Sequence, residues 1–362
     1  MDKSLWISFI NFTVLFFLVL IILLAGVKTI KAEEKYFIKM DDEFWKSKLT
    51  AEQFSVLVNK GTEPAFNNKY YTNKKAGIYV CAACNNRLFS SEDKYSSGTG
   101  WPSFYDVITE KAVGTRKDNK LLQERTEVYC QRCGGHLGHV FEDGPEPTGL
   151  RYCMNSAALK FLQKTYFAMG CFWKPEALFG SLPGVYFTEV GYAGGDMKGP
   201  IYHNLGNHTE AIKVIYDPEI ISYQELLNIF WENHNHTQKS YSKQYKSIIF
   251  CNNNKEEDTV LKFLENKKLE VNKKIYIDIQ EIDEFYPAEQ YHQKYLFKRN
   301  KNMYQQVIEL FAGKYKFEDS QIAARLNAYS AGFLTFTEIK KEFKSSYLYL
   351  QYKDKIDKII TD

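Results

Sequence analysis

GGHLGHVFEDGPEPTGLRYCMNSAALKFLQKTYFAMGCFWKPE, residues 134–176, is the stretch that decides the fold and chemistry of this chain. Two cysteines, Cys153 and Cys171, lie 18 positions apart in unlike settings. Cys153 follows two histidines, His136 and His139, in an extended-type run. Cys171 stands between a glycine and two aromatics, where a helix is expected to open. The thiolate is the nucleophile in cysteine chemistry, and an imidazole or a helix N-terminus stabilises it. The pattern predicts two dissimilar activated thiols that carry out two related reactions.

At 362 residues the chain is long enough for two domains with separate cores. Charged residues make up 25% and the net charge is +3. With no basic stripe, this balance does not point to nucleic acid. Of seven cysteines, four form two Cys-x-x-Cys pairs, which leaves Cys153, Cys171 and Cys251. That is not a disulfide scaffold.

Leu5 to Val27 is an uncharged run of 23 residues, long enough to span a bilayer. It exceeds the apolar region of a signal peptide, about 7–15 residues. An uncleaved membrane anchor is therefore expected ahead of a cleaved signal, with the remainder exported to the non-cytoplasmic side. Glu33 to Met40 reads as a linker.

Asp41 to Leu57 has helical spacing, and Thr50-Ala-Glu-Gln53 has the form of a capping box. From Gly77 to about Lys160, short alternating runs separated by glycine-rich turns predict a mostly antiparallel β domain. After Thr165 strands and helices interleave, as in an α/β domain. Expected strands are Tyr166–Met169, Gly184–Tyr192, Ala211–Tyr216 and Ile275–Ile282. Expected helices are Phe172–Phe179, Ser222–Asn233 with Glu225 completing a capping box, Lys255–Lys268 and Ala288–Phe311. Residues 317–362 read as a tail with helical pieces and no identifiable chemistry.

Cys81-Ala-Ala-Cys84 and Cys130-Gln-Arg-Cys133 each follow a short strand. Two such turns close a tetrahedral sulfur site, and zinc is its natural occupant, in a structural role. Two disulfides are the alternative in an oxidising compartment.

SGTGWPSF (97–104), GGHLGHVF (134–141) and RYCMNSAALKF (151–161) resemble the signature of the B-type methionine sulfoxide reductases, with the four cysteines in register. The resemblance implies that Cys153 attacks the sulfur of methionine-R-sulfoxide. It implies that His136, His139 and Asn155 polarise or protonate the sulfoxide oxygen, and that Trp101 packs on the substrate methyl. Alternation along an extended segment would place Cys153 and Asn155 in one cleft. The family's resolving cysteine, two residues before the Trp, is here Thr99. Regeneration should then draw on an external thiol, on Cys171 or Cys251, or on a thioredoxin-like partner.

GCFWKPE (170–176), GYAGG (191–195), PIY (200–202), HTE (208–210) and YPAEQYH (286–292) resemble the A-type methionine sulfoxide reductases, which act on the S-sulfoxide. Carried over, Cys171 is the nucleophile, and Phe172 and Trp173 line the methyl pocket. Glu210 is the acid, protonated through burial, and Tyr202 and Tyr245 share its hydrogen bond. Glu176 is given a supporting role. The family's aspartate, five before the tyrosine, falls at Ser240. Cys251 is expected to be a packed structural thiol.

The chain is thus read as a membrane anchor or signal (residues 1–32), a linker (33–40), a zinc-containing β domain (41–164), an α/β domain of ferredoxin-like type (165–315) and an extension (316–362). Expected partners are oxidised proteins, a thiol reductant and the membrane. The rival readings are a zinc-containing thiol redox sensor or chaperone, and a protein with only one active half.

Overall fold

In the computed structural model, residues 42–119, 124–271, 273–311, 317–343, 353–355 and 357–359 are described. The expected anchor and linker lie outside them. Among the described residues no helix is long and apolar enough to cross a membrane.

Two short helices open the described chain, α1 (Asp42–Lys48) and α2 (Ala51–Leu57). The expected single helix is broken at Thr50. Its hydroxyl accepts from Gln53 N–H while the Gln53 side chain returns the bond, so the capping box starts a new helix.

Strands β1 (Gly77–Cys81) and β2 (Arg87–Ser90) form an antiparallel pair. Six more strands make a second, wholly antiparallel sheet. They are β3 (Lys94–Tyr95), β4 (Ser103–Phe104), β5 (Val113–Asp118), β6 (Arg125–Cys130), β7 (His136–Phe141) and β8 (Arg151–Met154). Their spatial order is β3-β4-β8-β7-β6-β5. This is the expected β-rich first half.

The next strand, β9, runs unbroken from Leu159 to Met169. Its first residues pair with β1, from Cys81↔Leu159 to Gly77↔Gln163. Its later residues pair on one side with β11 (Thr209–Tyr216) and on the other with β12 (Ser247–Cys251). The α/β half is built around it, with α3 (Trp173–Gly180), β10 (Val185–Ala193) and α4 (Tyr223–Glu232) in between. The sequence β9-α3-β10-β11-α4-β12 with spatial order β12-β9-β11-β10 is the split βαβ arrangement. Strands β13 (Asp278–Glu281) and β14 (Phe285–Pro287) add the two edges. Helix α5 (Asn254–Glu270) packs beside α4 on an apolar core that includes Phe167, Phe179, Leu227, Phe230 and Phe263.

Two expectations are corrected. The helix anticipated over Ala288–Phe311 begins only at α6 (Tyr295–Arg299) and continues as α7 (Lys301–Phe311). Residues 288–294 are bound to the sheet instead. Ala288 N–H donates to Val190 O, and the Gln293 amide accepts from Val190 N–H. Lys294, with φ +54°, then turns inward to Glu176. Helical hydrogen bonds there would forfeit those contacts.

The second correction concerns the tail. Helix α8 (Gln321–Ser330) is buried along most of its length and packs on α3. The Arg325 guanidinium is fully buried and donates to Gly180 O and, at 3.0 Å, to Leu182 O. It thereby caps carbonyls at the C-terminal end of the helix that follows Cys171. A bidentate pair with Glu342 at 2.7 Å completes it. The second half therefore extends through Ser330. Arg325→Ala is expected to cost about 3 kcal/mol, because it strips buried carbonyls of a charged donor. A lower urea midpoint with unchanged slope would register this; an unmoved midpoint would refute it.

Candidate functional sites

The two Cys-x-x-Cys turns share one backbone design. Asn85 N–H donates to Cys81 O at 2.9 Å, and Gly134 N–H donates to Cys130 O at 2.8 Å. Asn85 (φ +55°) and Gly134 (φ +74°) both occupy the left-handed region, as residue types that tolerate it. The four Sγ atoms lie within 4.8 Å of one another, with Cys81–Cys133 at 3.7 Å and Cys84–Cys130 at 3.6 Å. A tetrahedron of thiolates about 2.3 Å from a central ion has edges of about 3.8 Å. All seven cysteines are free. The donor set therefore fits one soft tetrahedral cation.

Cys153 sits on β8 opposite Ser103 on β4 and opposite His139 on β7. Directly opposed residues of an antiparallel pair place their side chains on one face, about 5 Å apart at Cβ. Thr99 Oγ1 lies 3.8 Å from Cys153 Sγ. Ser97 links Thr99 and Ser103 by 2.8 Å hydrogen bonds. The position two before Trp101 thus touches the nucleophile, but with a hydroxyl. Gly100 (φ +90°) is required, since a Cβ there would meet Phe66 N at 2.7 Å.

Both histidines are backed by carboxylates. His136 Nδ1 pairs with Glu127 at 3.0 Å, and His139 Nε2 with Asp118 at 2.8 Å. Burial works to raise the Glu127 pKa, but Arg116, Lys60 and His136 together hold it well below the usual carboxylate range. Burial pushes His136 down, so its ring is neutral near pH 7. Neutral His136 donates its Nδ1–H to the Glu127 carboxylate, which leaves its Nε2 a lone pair. At His139 it is Nε2 that faces the Asp118 carboxylate, so Nδ1 is the nitrogen left to exchange a proton.

Asn155 is placed otherwise than the alternation suggested. Strand β8 ends at Met154, so strand periodicity does not carry Asn155 into the cleft. Its buried amide accepts from Glu63 N–H at 3.2 Å and donates to Leu137 O at 3.0 Å. Trp101 is half-buried and donates Nε1–H to Glu63 O at 3.1 Å. Sequence reading gave no role to Arg151, two residues before Cys153 on β8. Its guanidinium is held bidentate by Asp143 at 2.8 and 2.9 Å, and its charge favours the Cys153 thiolate. The Arg-x-Cys spacing on a strand was the available signal.

At the far end of β9, Gly170 (φ +85°) turns the chain so that Cys171 is exposed just ahead of α3. Phe172 N–H donates to Glu210 Oε2 at 3.0 Å, and the Gln244 amide donates to Glu210 Oε1 at 2.7 Å. Glu210 is buried, which raises its pKa despite those two donors. Tyr245 stands at the rim and interacts with Glu210, Tyr202 and Cys171; burial first, then the Glu210 charge, raises its pKa to about 12. Tyr202 is positioned by its N–H to Glu289 at 2.9 Å, and its ring lies 4.6 Å from His292. Phe172 is buried. Trp173 stacks on Tyr295 at 3.7 Å and donates to His292 Nδ1 at 3.2 Å. His292, Tyr295 and Gln244 escaped the sequence reading, although His292 closes the quoted YPAEQYH motif. Glu176 is buried and ion-paired to Lys294 Nζ at 2.6 Å, which anchors the helix rather than the substrate.

One expectation about both thiols is reversed. Burial raises the pKa of Cys153 and of Cys171 above that of an ordinary thiol. Thr99, Arg151 and Ser103 pull Cys153 back only in part, and Trp173 N–H does the same for Cys171, where the Glu210 charge adds to the rise. Cys251 is packed in the core, as expected, and burial pushes it up to about 12.

Fold and sites define a class: two single-cysteine redox centres, one in the half that carries a cluster of four cysteines able to hold a metal. Residues 49–163 match the SelR domain and residues 163–325 match the peptide methionine sulfoxide reductase model. The chain is 58% identical over 127 residues to the peptide methionine sulfoxide reductase MsrB of Methanosarcina mazei, covering 35% of this chain and 91% of that protein. It is 57% identical over 126 residues to the MsrB of Leptospira interrogans, covering 35% and 96%. Among solved structures, methionine sulfoxide reductase A of Corynebacterium diphtheriae shares 30% identity at a TM-score of 0.35, over 39% of this chain and 76% of that one. The chain belongs to the peptide methionine sulfoxide reductases, with a B-type half followed by an A-type half.

A raised thiol pKa makes the thiolate scarce at neutral pH. Alkylation of Cys153 and Cys171 by iodoacetamide is therefore expected to be slower than that of a free cysteine at pH 7 and to rise through a midpoint above the ordinary thiol pKa. Site-resolved mass spectrometry across pH checks this. A midpoint at or below the ordinary value would overturn it.

Proposed function

We propose that this chain is a bifunctional repair reductase for oxidised methionine in proteins. The B-type half reduces the R-sulfoxide at Cys153, and the A-type half the S-sulfoxide at Cys171. Two enzymes are needed because the sulfoxide is chiral, one for each epimer. The observation that carries the reading is the presence of two complete family halves, each with its own cysteine beside a proton-handling group.

The chemistry is an oxygen transfer between sulfurs. The thiolate attacks the sulfoxide sulfur while the oxygen is protonated, and the S–O bond breaks. Overall, thiol plus sulfoxide gives sulfenic acid plus thioether. In the A half, neutral Glu210 supplies the proton, with Tyr202 and Tyr245 sharing the oxygen, and Phe172 and Trp173 hold the methyl group. In the B half, the His139 lone pair receives the Cys153 proton and returns it to the oxygen; His136 assists and Trp101 holds the methyl group. Asn155 holds the Glu63 backbone, whose carbonyl accepts from the Trp101 ring. Each sulfenic acid then condenses with an external thiol, releasing water, and a second thiol reduces the resulting disulfide. A thioredoxin-like partner is the proposed source.

Cys81, Cys84, Cys130 and Cys133 are proposed to hold structural zinc. The ion supplies no step; it would bind β1 to the β6–β7 turn. Leu5 to Val27 is proposed as a membrane anchor, with its uncharged length as support.

With diastereomerically pure methionine sulfoxides and dithiothreitol, Cys153→Ser is expected to lose R turnover by more than about a thousandfold and leave S turnover intact. Cys171→Ser should do the reverse. Loss of both activities from one change would break the two-site reading. Metal analysis should find one tightly held zinc per chain. Cys84→Ser should release it and lower the melting temperature; an unchanged melting temperature would refute a structural metal.

A further inference from the structure

Glu210 has to be neutral when substrate arrives and ionised after it gives up its proton. Both of its oxygens already receive hydrogen bonds. Oε2 accepts from Phe172 N–H at 3.0 Å, and Oε1 accepts from the Gln244 amide at 2.7 Å. The backbone N–H can only donate. An O–H on neutral Glu210 needs an acceptor, and an amide offers one after a half-turn that exchanges its nitrogen and oxygen at little cost in shape.

The local fold keeps Gln244 in place for both roles. It lies in a single 3-10 turn, Lys243–Tyr245. Thr209 Oγ1 donates to Lys243 O at 2.7 Å, so the turn is tied to the residue preceding Glu210 on β11. The titratable groups that interact with Glu210 are Cys171, Tyr192 and Tyr245, and Tyr245 in turn meets Tyr202. Thiols and phenols carry no positive charge in either form, so none of them offers Glu210 a counter-charge. The adjustable partner of this carboxyl is therefore an amide, not a charge.

We propose that Gln244 is the positioning residue for the S-sulfoxide reaction: its amide presents Oε1 to neutral Glu210 and turns to present Nε2–H once the proton has gone to the sulfoxide oxygen. This rests on the assignment of S-epimer reduction to the Cys171 half. The device lets one buried carboxyl hold a hydrogen-bonded proton and then be stabilised as an anion, without rearranging the backbone.

The test is an infrared titration of the Glu210 carboxyl stretch in the full chain, isolated by difference against Glu210→Gln. Gln244→Met removes both roles of the amide at similar volume. A charge-assisted bond is roughly twice as strong as a neutral one, so the anion loses more than the acid. The Glu210 midpoint should rise by about one pH unit. Gln244→Glu restores an acceptor but adds negative charge, and should raise the midpoint further. S turnover should fall at least severalfold in both variants while R turnover, measured in the same chain, stays unchanged. An unmoved midpoint overturns the proposal, whether or not turnover falls. A fall in R turnover would mark a folding defect, and Gln244→Glu then decides through its own midpoint, with an unmoved midpoint counting against the proposal. Absent S turnover in the unmodified chain would instead sink the assignment on which the inference rests.

Discussion

The structure depends on one strand. Strand β9 pairs with β1 of the β-rich half at one end and with β11 and β12 of the α/β half at the other. No linker separates the halves, because the boundary between them lies inside a hydrogen-bonded strand. A cut between Lys164 and Thr165 would sever a ladder in which Ile215 faces Lys164 and Val214 faces Thr165. Loss of β9 removes the centre of one half and an anchor of the other, so the two should open together as one cooperative unit.

The same strand separates the chemistry. From Leu159 to Met169 the backbone rises about 33 Å, at roughly 3.3 Å per residue. Cys153 precedes this strand and Cys171 follows it. On the near side, Phe104, beside Ser103 and Cys153, packs on Tyr79, which is paired with Phe161. Cys153 is therefore held near the first turns of β9. A disulfide needs Cα atoms about 4.4–6.8 Å apart, so the two nucleophiles cannot resolve each other without unfolding. Cys251 fares no better. Strand β12 runs antiparallel to β9, with Ser247 beside Met169, which places Cys251 at the end remote from Cys171. Closeness in sequence is undone by an extended strand.

Much of this was legible in the sequence. The two Cys-x-x-Cys turns, the capping boxes at Thr50 and Ser222 and the strands expected over Gly184–Tyr192 and Ala211–Tyr216 are local signals, and the structure realises them. What escaped depends on contacts far apart in sequence. Residues 288–294 have helical composition, but Val190 and Glu176 hold them in another form. The tail looked featureless because the partner of Arg325, the carbonyl of Gly180, is 145 positions away. The thiol pKa directions were misjudged for the same reason. Helix N-termini and histidines are visible in a sequence, whereas the desolvation that outweighs them is not.

That desolvation bears on how an enzyme without resolving thiols survives between turnovers. A thiol kept protonated reacts slowly with stray oxidants, since susceptibility follows thiolate character. Cys153 and Cys171 are both held above the ordinary thiol range by burial. A sulfoxide in the pocket changes the balance, because protonation of its oxygen by the neighbouring acid makes its sulfur open to attack by the thiolate. Reactivity is thus tied to substrate presence and not to the resting site. The cost is that each sulfenic acid, once formed, has no thiol of its own chain within reach. It is also why the two cysteines differ in exposure without harm. Cys171 stands open, where a partner thiol can meet it directly. Cys153 is half-buried behind Thr99.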